Sequence, residues 1–443
     1  MNFLNLKSFF NLKIHTLNKF EIGLVYTAYI AIVCILSIVY CYLNVIKSNI
    51  ADINNNIIIG NLQFSYADLV NNLVNKWEFY SNFYGTKFFL GRLPTLPFVI
   101  TLAIKISTNI YFIFLFKSFI FFTIYFFILI ITLKSLDRNL FSLFILLIFS
   151  FVIPYNIHVG LSIFFADSII YLILPCLYLI TLSKHHLKYY LLSFLLIALY
   201  LTKTSVAFIV LFYPFLILFL EEDHFNKKLI PLYAMIIVVL SWGIFGLSKT
   251  GRFPIFKSTI TLNSQALFYI NCNPQFIKNY PHKSVDILLP KIIDYSNYKN
   301  EWEVFDDFNK KIKSTECKGN SFLQDLPKKI KFIFFNVHKD NVNPDKNGNF
   351  NNPLIFSYII NKIFFNLAFF ISLFTIIFNF KAIIKLNDFN RFRVDIYYLS
   401  IISLNLLPHL VAWSTSKHLV AIHFLSIIYI FFKFENIFLN KSN

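Results

Sequence analysis

The sequence predicts an all-α polytopic membrane protein with about ten transmembrane helices and a small mixed extracytoplasmic segment. Hydrophobic residues make up 57% of its 443 residues, charged residues make up 14%, and the mean hydropathy is +0.63. That balance is far from the average of soluble domains. Apolar runs at 22–46, 109–133, 161–182 and 355–380 approach or exceed the ~20 residues that a helix needs to cross hydrocarbon. Because a bilayer offers no water to backbone groups, these runs must be helices.

The basic residues predict which loops face the cytoplasm. The net charge of +18 does not indicate a nucleic-acid partner, because the cations lie in short loops between apolar runs, as the positive-inside rule requires. Lys7, Lys13 and Lys19 place the N-terminus in the cytoplasm, and the apolar run after them is too long for a cleaved signal peptide. We therefore predict a multi-pass protein of the cell inner (plasma) membrane with both termini in the cytoplasm. The later cytoplasmic turns carry Lys134, Arg138, Lys184, Lys188, Lys227, Lys228, Lys381, Lys385, Arg391 and Arg393.

These marks fix the order of the first spans. The chain leaves the cytoplasm through 22–46 and returns through 109–133, so the loop 47–108 lies outside and contains a short interfacial helix at 93–104. The next hairpin joins a span at 140–157 to the run that begins at residue 161.

The region 189–220 holds too many residues for one span, and Thr202-Lys203-Thr204-Ser205 interrupts it. We predict two short helices that meet at this polar turn, which leaves the segment 248–353 outside. One tilted span through 189–220 would instead place that segment in the cytoplasm, against the charge rule. The remaining spans are 229–247, 354–380, 395–412 and 418–434. The predicted domains are an N-terminal transmembrane module, an extracytoplasmic segment and C-terminal transmembrane helices, at 1–247, 248–353 and 354–443.

The outer segment carries the two cysteines that lie outside apolar helices, Cys272 and Cys317. On an extracytoplasmic face a disulfide between them is chemically allowed, but two unrelated thiols fit the sequence equally well. The same segment contains an amphipathic stretch at 300–308. Its adjacent Asp306 and Asp307 fit a solvated helix face better than an acidic metal-binding motif. No glycine-rich phosphate loop occurs in the chain, so ATP-driven transport and dinucleotide chemistry lack support.

The first outer loop contains the most informative local pattern. The spacing of its aromatic and apolar residues from Tyr66 predicts an amphipathic helix on the membrane surface, followed by a turn at Tyr84-Gly85. Arg92 and Arg252 are outward arginines close to span ends. Since a guanidinium can bind a phosphate with two parallel hydrogen bonds, the pair predicts contact with a phosphate-bearing lipid. Ordinary interfacial anchoring is the alternative.

Four short motifs follow one another along these elements: Arg92-Leu93-Pro94-Thr95-Leu96-Pro97, Phe165-Ala166-Asp167-Ser168, Leu201-Thr202-Lys203-Thr204 and Ser416-Lys417-His418-Leu419. In this order they resemble the GT-C glycosyltransferase superfamily, which is typified by protein O-mannosyltransferases and lipid A aminoarabinose transferases. The first motif is similar to an Arg-x-Pro-Gly-Tyr-Pro motif without its Gly and Tyr. The second and third resemble an acidic start of a later span and a Thr-Arg turn, and the fourth falls where members often carry Arg-Tyr.

The chain departs from the superfamily at its acidic residue. In many members this residue lies just before the tyrosine that matches Tyr66, where this chain has Asn61, Leu62 and Gln63. The nearest carboxylates are Asp68 and Asp52. Lys203 and Lys417 keep a positive charge at arginine positions but lose the bidentate geometry.

The resemblance implies an enzyme that moves a sugar from a polyprenyl-phosphate donor to a lipid or glycan acceptor on the extracytoplasmic face. The donor phosphate would lie near Tyr66, between Arg92, Lys203 and either Arg252 or the Lys417-His418 pair, where cations stabilise the charge that develops on the leaving phosphate. A carboxylate, Asp68 in preference to Asp167 or Asp52, would accept the acceptor's proton. The sequence leaves open whether a divalent metal takes part.

Three other classes stay open. A lipid-linked oligosaccharide polymerase or ligase would need the outward arginines without an essential carboxylate. A transporter would need broken helices and ionisable residues near mid-bilayer, and apart from the turn at Lys203 the spans show little of either. A noncatalytic membrane protein is compatible with the missing acidic residue.

Overall fold

The computed structural model describes residues 12–43, 64–83, 86–163, 166–256, 298–313, 322–335, 352–384, 389–411 and 419–439. The helices of the N-terminal module are α1 (Lys19–Cys41), α2 (Phe64–Lys76), α3 (Thr95–Ile106), α4 (Ile110–Ser135), α5 (Leu140–Val152), α6 (Pro154–Leu161), α7 (Asp167–Leu182), α8 (Lys188–Tyr200), α9 (Ala207–Leu220) and α10 (Phe225–Thr250). The later helices are α11 (Glu301–Lys313), α12 (Phe322–Phe334), α13 (Asn352–Phe378), α14 (Phe380–Ile384), α15 (Phe389–Val411) and α16 (Val420–Leu439). Short 3₁₀ turns occupy Ile14–Thr16 and Thr204–Val206.

The described part of the chain contains four helices that are long and apolar enough to cross a membrane: α1, α4, α10 and the part Phe356–Phe378 of α13. The pair α5 and α6 adds a fifth if the two count as one bent span. The helices α3, α7, α8 and α9 are apolar but shorter. This confirms a mostly helical chain with several helices that could span a membrane, whereas the number ten stays a prediction.

α7 is the centre of the fold. Every one of its residues from Asp167 to Leu182 is buried, and it contacts α4, α6, α8, α15 and α16. A helix that is hydrophobic all round and surrounded on every side is the expected core of a helical bundle. By contrast α1 and α10 expose long rows of apolar side chains, which is what lipid-facing helices require.

Two predicted elements around α7 take the expected form. The region 189–220 folds as α8 and α9, and the polar residues Thr202 and Lys203 lie between them. The predicted interfacial helix at 93–104 is α3.

The predicted span at 140–157 is wrong as a straight helix. α5 ends at Val152, and α6 continues from Pro154 with a bend of 76°. Proline lacks an N–H and suits the first position of a helix, so Pro154 ends one helix and begins another. The next helix also begins later than predicted, at Asp167 rather than residue 161.

A small two-stranded antiparallel sheet lies in the predicted first outer loop of an otherwise helical fold. β1 (Ser81–Phe83) pairs with β2 (Thr86–Phe88) in a register that sets Ser81 opposite Phe88. The predicted turn at Tyr84-Gly85 falls on two residues that lie outside the described residues. Phe88 contacts Phe305 of α11 through its ring, so the outer segment packs on this hairpin.

Buried ion pairs hold the helices together at the predicted cytoplasmic end. The carboxylate of Glu221 accepts hydrogen bonds from Lys188, at 2.7 Å, and from Arg393 and Tyr397. Asp395 pairs with Lys433 at 2.7 Å. Since an unpaired buried charge costs about 3–5 kcal/mol, these contacts fix how α8, α9 and α15 meet.

Candidate functional site

An ion pair lies at the predicted outer end of the two central short helices. Lys203 donates from Nζ to Oδ1 of Asp167 at 2.6 Å, and both side chains are at most 16% exposed. Asp167 is the first residue of α7, where the positive end of the helix dipole favours a carboxylate. Lys203 stands in extended backbone just before the Thr204–Val206 turn.

A second pair of predicted residues lies beside this ion pair. The Arg92 guanidinium carbon is 4.9 Å from the centre of the Tyr66 ring, a distance at which a cation is attracted to an aromatic face. Burial raises the pKa of Tyr66. The positive charge of Arg92 opposes this rise, and the negative charge of Asp167 adds to it. Tyr66 is therefore within electrostatic reach of both Arg92 and Asp167.

The backbone joins the two pairs directly. The N–H of Thr95, the first residue of α3, donates to the carbonyl of Leu201 at 3.1 Å. This hydrogen bond ties the turn that contains Arg92 to the turn that contains Lys203. We call Tyr66, Arg92, Asp167 and Lys203 the outer cluster. Its members come from α2, the loop before α3, the start of α7 and the turn after α8.

The outer cluster lies below the outer ends of the long helices. α7 has 16 residues and α8 has 13, whereas α4 has 26 and α13 has 27. At 1.5 Å per residue these are about 24, 20, 39 and 40 Å. The backbone N–H of Tyr155 in α6 donates to Ser357 of α13, only a few residues after α13 begins. α6 is therefore recessed from this end of α13 by roughly one and a half turns of helix, about 7 Å.

Lys117 connects the long helix α4 to this recessed layer. Its side chain is 1% exposed, and its Nζ donates to the carbonyls of Gly160 and, at 3.0 Å, of Ser162. These carbonyls lie at the C-terminal end of α6, where the helix dipole favours a cation. Lys117 thus holds the chain a few residues before Asp167.

Sequence reasoning missed His409. It is buried on α15 and lies within electrostatic reach of both Lys203 and Asp167. At the other end of the molecule Lys188 and Arg393 share the carboxylate of Glu221. Lys203 follows Lys188 along the chain by about four helical turns, and His409 follows Arg393 by a similar distance. A histidine in an apolar span is a signal in itself, but its neighbours follow only from the packing of α15 on the turn at Thr204–Val206.

Asp68, the preferred proton acceptor of the sequence analysis, does not join the outer cluster. It lies two residues after Tyr66 on α2, and about 200° of helical rotation separates the two side chains. Among the described residues it has no hydrogen bond or ion pair, and partial burial raises its pKa. Its catalytic role stays a prediction.

Arg252 lies apart from the outer cluster in a different set of contacts. It pairs with Asp306 at 2.5 Å, with both side chains half exposed, and it lies over the Trp302 ring at 5.4 Å. Its guanidinium thus contacts α11 of the outer segment. The described residues include no group of three His, Cys, Asp or Glu side chains that could hold a metal ion.

Five other predicted residues lie outside the described residues: Asp52, Cys272, Cys317, Lys417 and His418. The proposed disulfide and the proposed role of the last loop therefore stay predictions.

Apart from the turn at Lys203, which the sequence predicted, the described part of the bundle contains a further break and further buried ionisable residues. The bend between α5 and α6 and the short helices around Lys203 interrupt the bundle. Lys117, Lys362 and His423 are buried in helices that are otherwise apolar. These residues are inconspicuous in the sequence because each stands alone in its own apolar run.

Comparison of the chain with models of protein families, with curated proteins and with solved structures finds no match in any of the three. The chemistry of the site therefore has to be inferred from its own geometry. Two cations, a carboxylate and a phenol from four separate elements can hold an anionic group and accept a proton beside it.

Proposed function

We propose that this chain is an integral membrane glycosyltransferase of the GT-C type, which moves a sugar from a polyprenyl-phosphate donor to a lipid or glycan acceptor. In this proposal about ten spans cross the plasma membrane, both termini are cytoplasmic, and the reaction takes place on the extracytoplasmic face. The observation that supports it is the meeting of the Arg92–Tyr66 pair with the Lys203–Asp167 pair.

The donor phosphate would bind between Arg92 and Lys203. Arg92 supplies two parallel hydrogen bonds and Lys203 a compact positive charge. Both cations lie where they can stabilise negative charge on the departing phosphate, and their effect is strengthened by the partly buried setting. The recess suits this role, because the phosphate of a membrane lipid lies near the boundary of the hydrocarbon.

Asp167 is the proton acceptor that the geometry favours over Asp68. Its carboxylate bonds to Lys203 in the structure, so a phosphate that binds Lys203 competes with it. Loss of the bond to Lys203 leaves Asp167 more basic, and it can then take the proton of the acceptor hydroxyl. A single displacement of this kind inverts the anomeric centre.

Binding of undecaprenyl phosphate tests the proposal without knowledge of the sugar, because this lipid is the product common to such donors. We expect the chain in lipid nanodiscs to bind it, and Arg92→Ala to weaken binding by about tenfold or more through loss of a charge-assisted bidentate contact. Arg92→Lys should restore part of the affinity. The matched control is Arg391→Ala, at an exposed arginine of α15. Equal affinity of Arg92→Ala and the control would contradict the proposal.

The bend at Pro154 and the buried ionisable layer also favour a second candidate, a transporter that moves a lipid-linked sugar across the bilayer. The two are separated with vesicles that carry a fluorescent polyprenyl-phosphate sugar and an acceptor lipid. A glycosyltransferase forms glycosylated acceptor, and Asp167→Asn abolishes product, whereas a transporter moves the donor between leaflets with no product. Product formation that survives Asp167→Asn and Asp68→Asn would favour a polymerase or ligase that needs no carboxylate.

A further inference from the structure

A carboxylate of the outer segment binds the backbone just before Arg92. Glu301, the first residue of α11, is fully buried. Its Oε1 accepts the N–H of Leu90 at 2.7 Å, and its Oε2 accepts the N–H of Phe89 at 3.1 Å. More than two hundred residues separate the partners in the chain.

This arrangement uses both oxygens of one charged group on two successive backbone amides. A fully buried carboxylate is costly unless charge-assisted hydrogen bonds stabilise it. Docking of α11 alone would not need a buried carboxylate. The ring of Phe305 already contacts Phe88, and Trp302 donates a hydrogen bond to Thr250. The amides that it holds lie two and three residues before Arg92.

We propose that Glu301 is a positioning residue, which holds the segment 89–90 so that the Arg92 guanidinium stays over the Tyr66 ring in the outer cluster. Through this contact the outer segment controls the position of the cation that, under the proposed function, binds the donor phosphate. A ligand that binds the outer segment and shifts α11 would then change the affinity for the donor, and the donor would change the affinity for that ligand by the same factor.

Leu90 is held in two ways, by close packing of its side chain and by the hydrogen bond from its backbone to Glu301. A Cβ added at Gly246 of α10 would lie 3.2 Å from the Leu90 side chain and 2.3 Å from Pro254. Leu90 therefore packs closely on α10, while Glu301 of α11 holds its backbone. Removal of the carboxylate releases the backbone but leaves the Leu90 side chain against α10.

Two readouts on the full chain in nanodiscs test the proposal independently of any activity. The first is hydrogen exchange at the amides of Phe89 and Leu90, and the second is the rate at which phenylglyoxal modifies Arg92. Glu301→Gln keeps the shape but turns one acceptor into a donor that faces an N–H. We expect exchange at one or both amides to become about tenfold faster or more, and Arg92 to react several-fold faster. Glu301→Asp, which keeps the carboxylate, should restore part of the protection.

Two further variants separate positioning from docking. Glu303→Gln removes the same charge from the first turn of α11 at an exposed side chain, and it should leave both readouts at the wild-type value. Phe305→Leu loosens the contact of α11 with Phe88 but leaves the carboxylate in place, and it should change Arg92 reactivity much less than Glu301→Gln does. Equal effects of Phe305→Leu and Glu301→Gln would reduce Glu301 to a docking contact and overturn the proposal. Unchanged Arg92 reactivity in Glu301→Gln would also overturn it.

The result for the proposed function is read separately, from binding of undecaprenyl phosphate. If the wild type does not bind this lipid, the proposed function fails, while the Arg92 reactivity still decides the role of Glu301. If the lipid binds the wild type and Glu301→Gln weakens it together with the change at Arg92, both proposals are supported.

Discussion

Two lysines of this protein, Lys203 and Lys117, have very different partners. Lys203 is bound to a carboxylate, whereas Lys117 donates to backbone carbonyls at a helix end. An ion pair can be opened by a competing anion, but a lysine held by carbonyls of the fold has no such exchange available. Under the proposed function Lys203 therefore binds the phosphate, whereas Lys117 has a structural role.

Asp68 provides a prediction at the same scale. Burial raises its pKa, so the folded state binds the proton more tightly than the unfolded state, and the charged form opposes folding at pH values above the raised pKa. We expect Asp68→Asn to raise the melting temperature at neutral pH and to lose this gain as the pH falls to about 3, below the ordinary carboxyl range.

Thermal unfolding in detergent across this pH range measures the effect. Glu78→Gln, at an exposed side chain of the same outer loop, is the control and should give the wild-type profile. A melting temperature of Asp68→Asn that is lower than the wild type at neutral pH would contradict the prediction. If activity also falls while stability rises, Asp68 is a functional carboxylate.

The recessed layer results from the lengths of the helices and from one bend between two of them. α5 stops at Val152, α6 crosses beneath the outer ends of α4 and α13, and α7 returns from Asp167. Close packing allows this path. A Cβ at Gly160 of α6 would lie 2.8 Å from Cδ1 of Tyr171, and Tyr171 is fixed by a hydrogen bond from its hydroxyl to the Ser150 carbonyl.

Gly160→Ala should therefore push α6 away from α7. We expect a loss of stability of about 1–3 kcal/mol, as for other cases of overpacking, and a weaker Lys203–Asp167 site, because α6 leads into Asp167. The control is Gly23→Ala in α1, where an added Cβ meets nothing within 4 Å and a helix gains up to about 1 kcal/mol. Thermal melting of both variants measures the difference. Equal stability of the two would show that α6 can move without cost.

Charged side chains of the molecule gather at two ends of the helical bundle. One end of the bundle joins helices through buried pairs centred on Glu221 and Asp395. The other end brings together the outer cluster under the first outer loop and α11. The basic residues predicted to mark the cytoplasm, Lys188 and Arg393 among them, belong to the first end. Lys188 and Arg393, which the charge rule predicts to face the cytoplasm, are thus also structural partners.

The orientation of these ends in the membrane is open to a direct measurement. In a variant whose five cysteines are replaced by serine, we expect Lys299→Cys to react with an impermeant maleimide in intact cells. His186→Cys, in the loop between α7 and α8, should react only after the cells are opened, because it lies at the predicted cytoplasmic end. The reverse pattern would place the outer cluster in the cytoplasm and remove the basis of the proposed function.

The sequence by itself determined the class of this protein, most of its helices and all four members of the outer cluster, with Asp167 as its second choice of carboxylate. In hydrocarbon the backbone N–H and C=O groups must hydrogen-bond to one another, so the apolar runs predicted helices. The polar turn at Lys203 predicted a break between two of these helices. Arg92 was found as an outward arginine that suits a phosphate, Lys203 from its polar turn, and Tyr66 because it begins a predicted amphipathic helix. The tertiary structure alone decided that Asp167 and not Asp68 pairs with Lys203, that His409 lies near this pair, and that Glu301 binds the backbone just before Arg92. Those neighbours depend on the bend at Pro154, on helix lengths and on contacts between residues far apart in the chain, and no local periodicity carries that information.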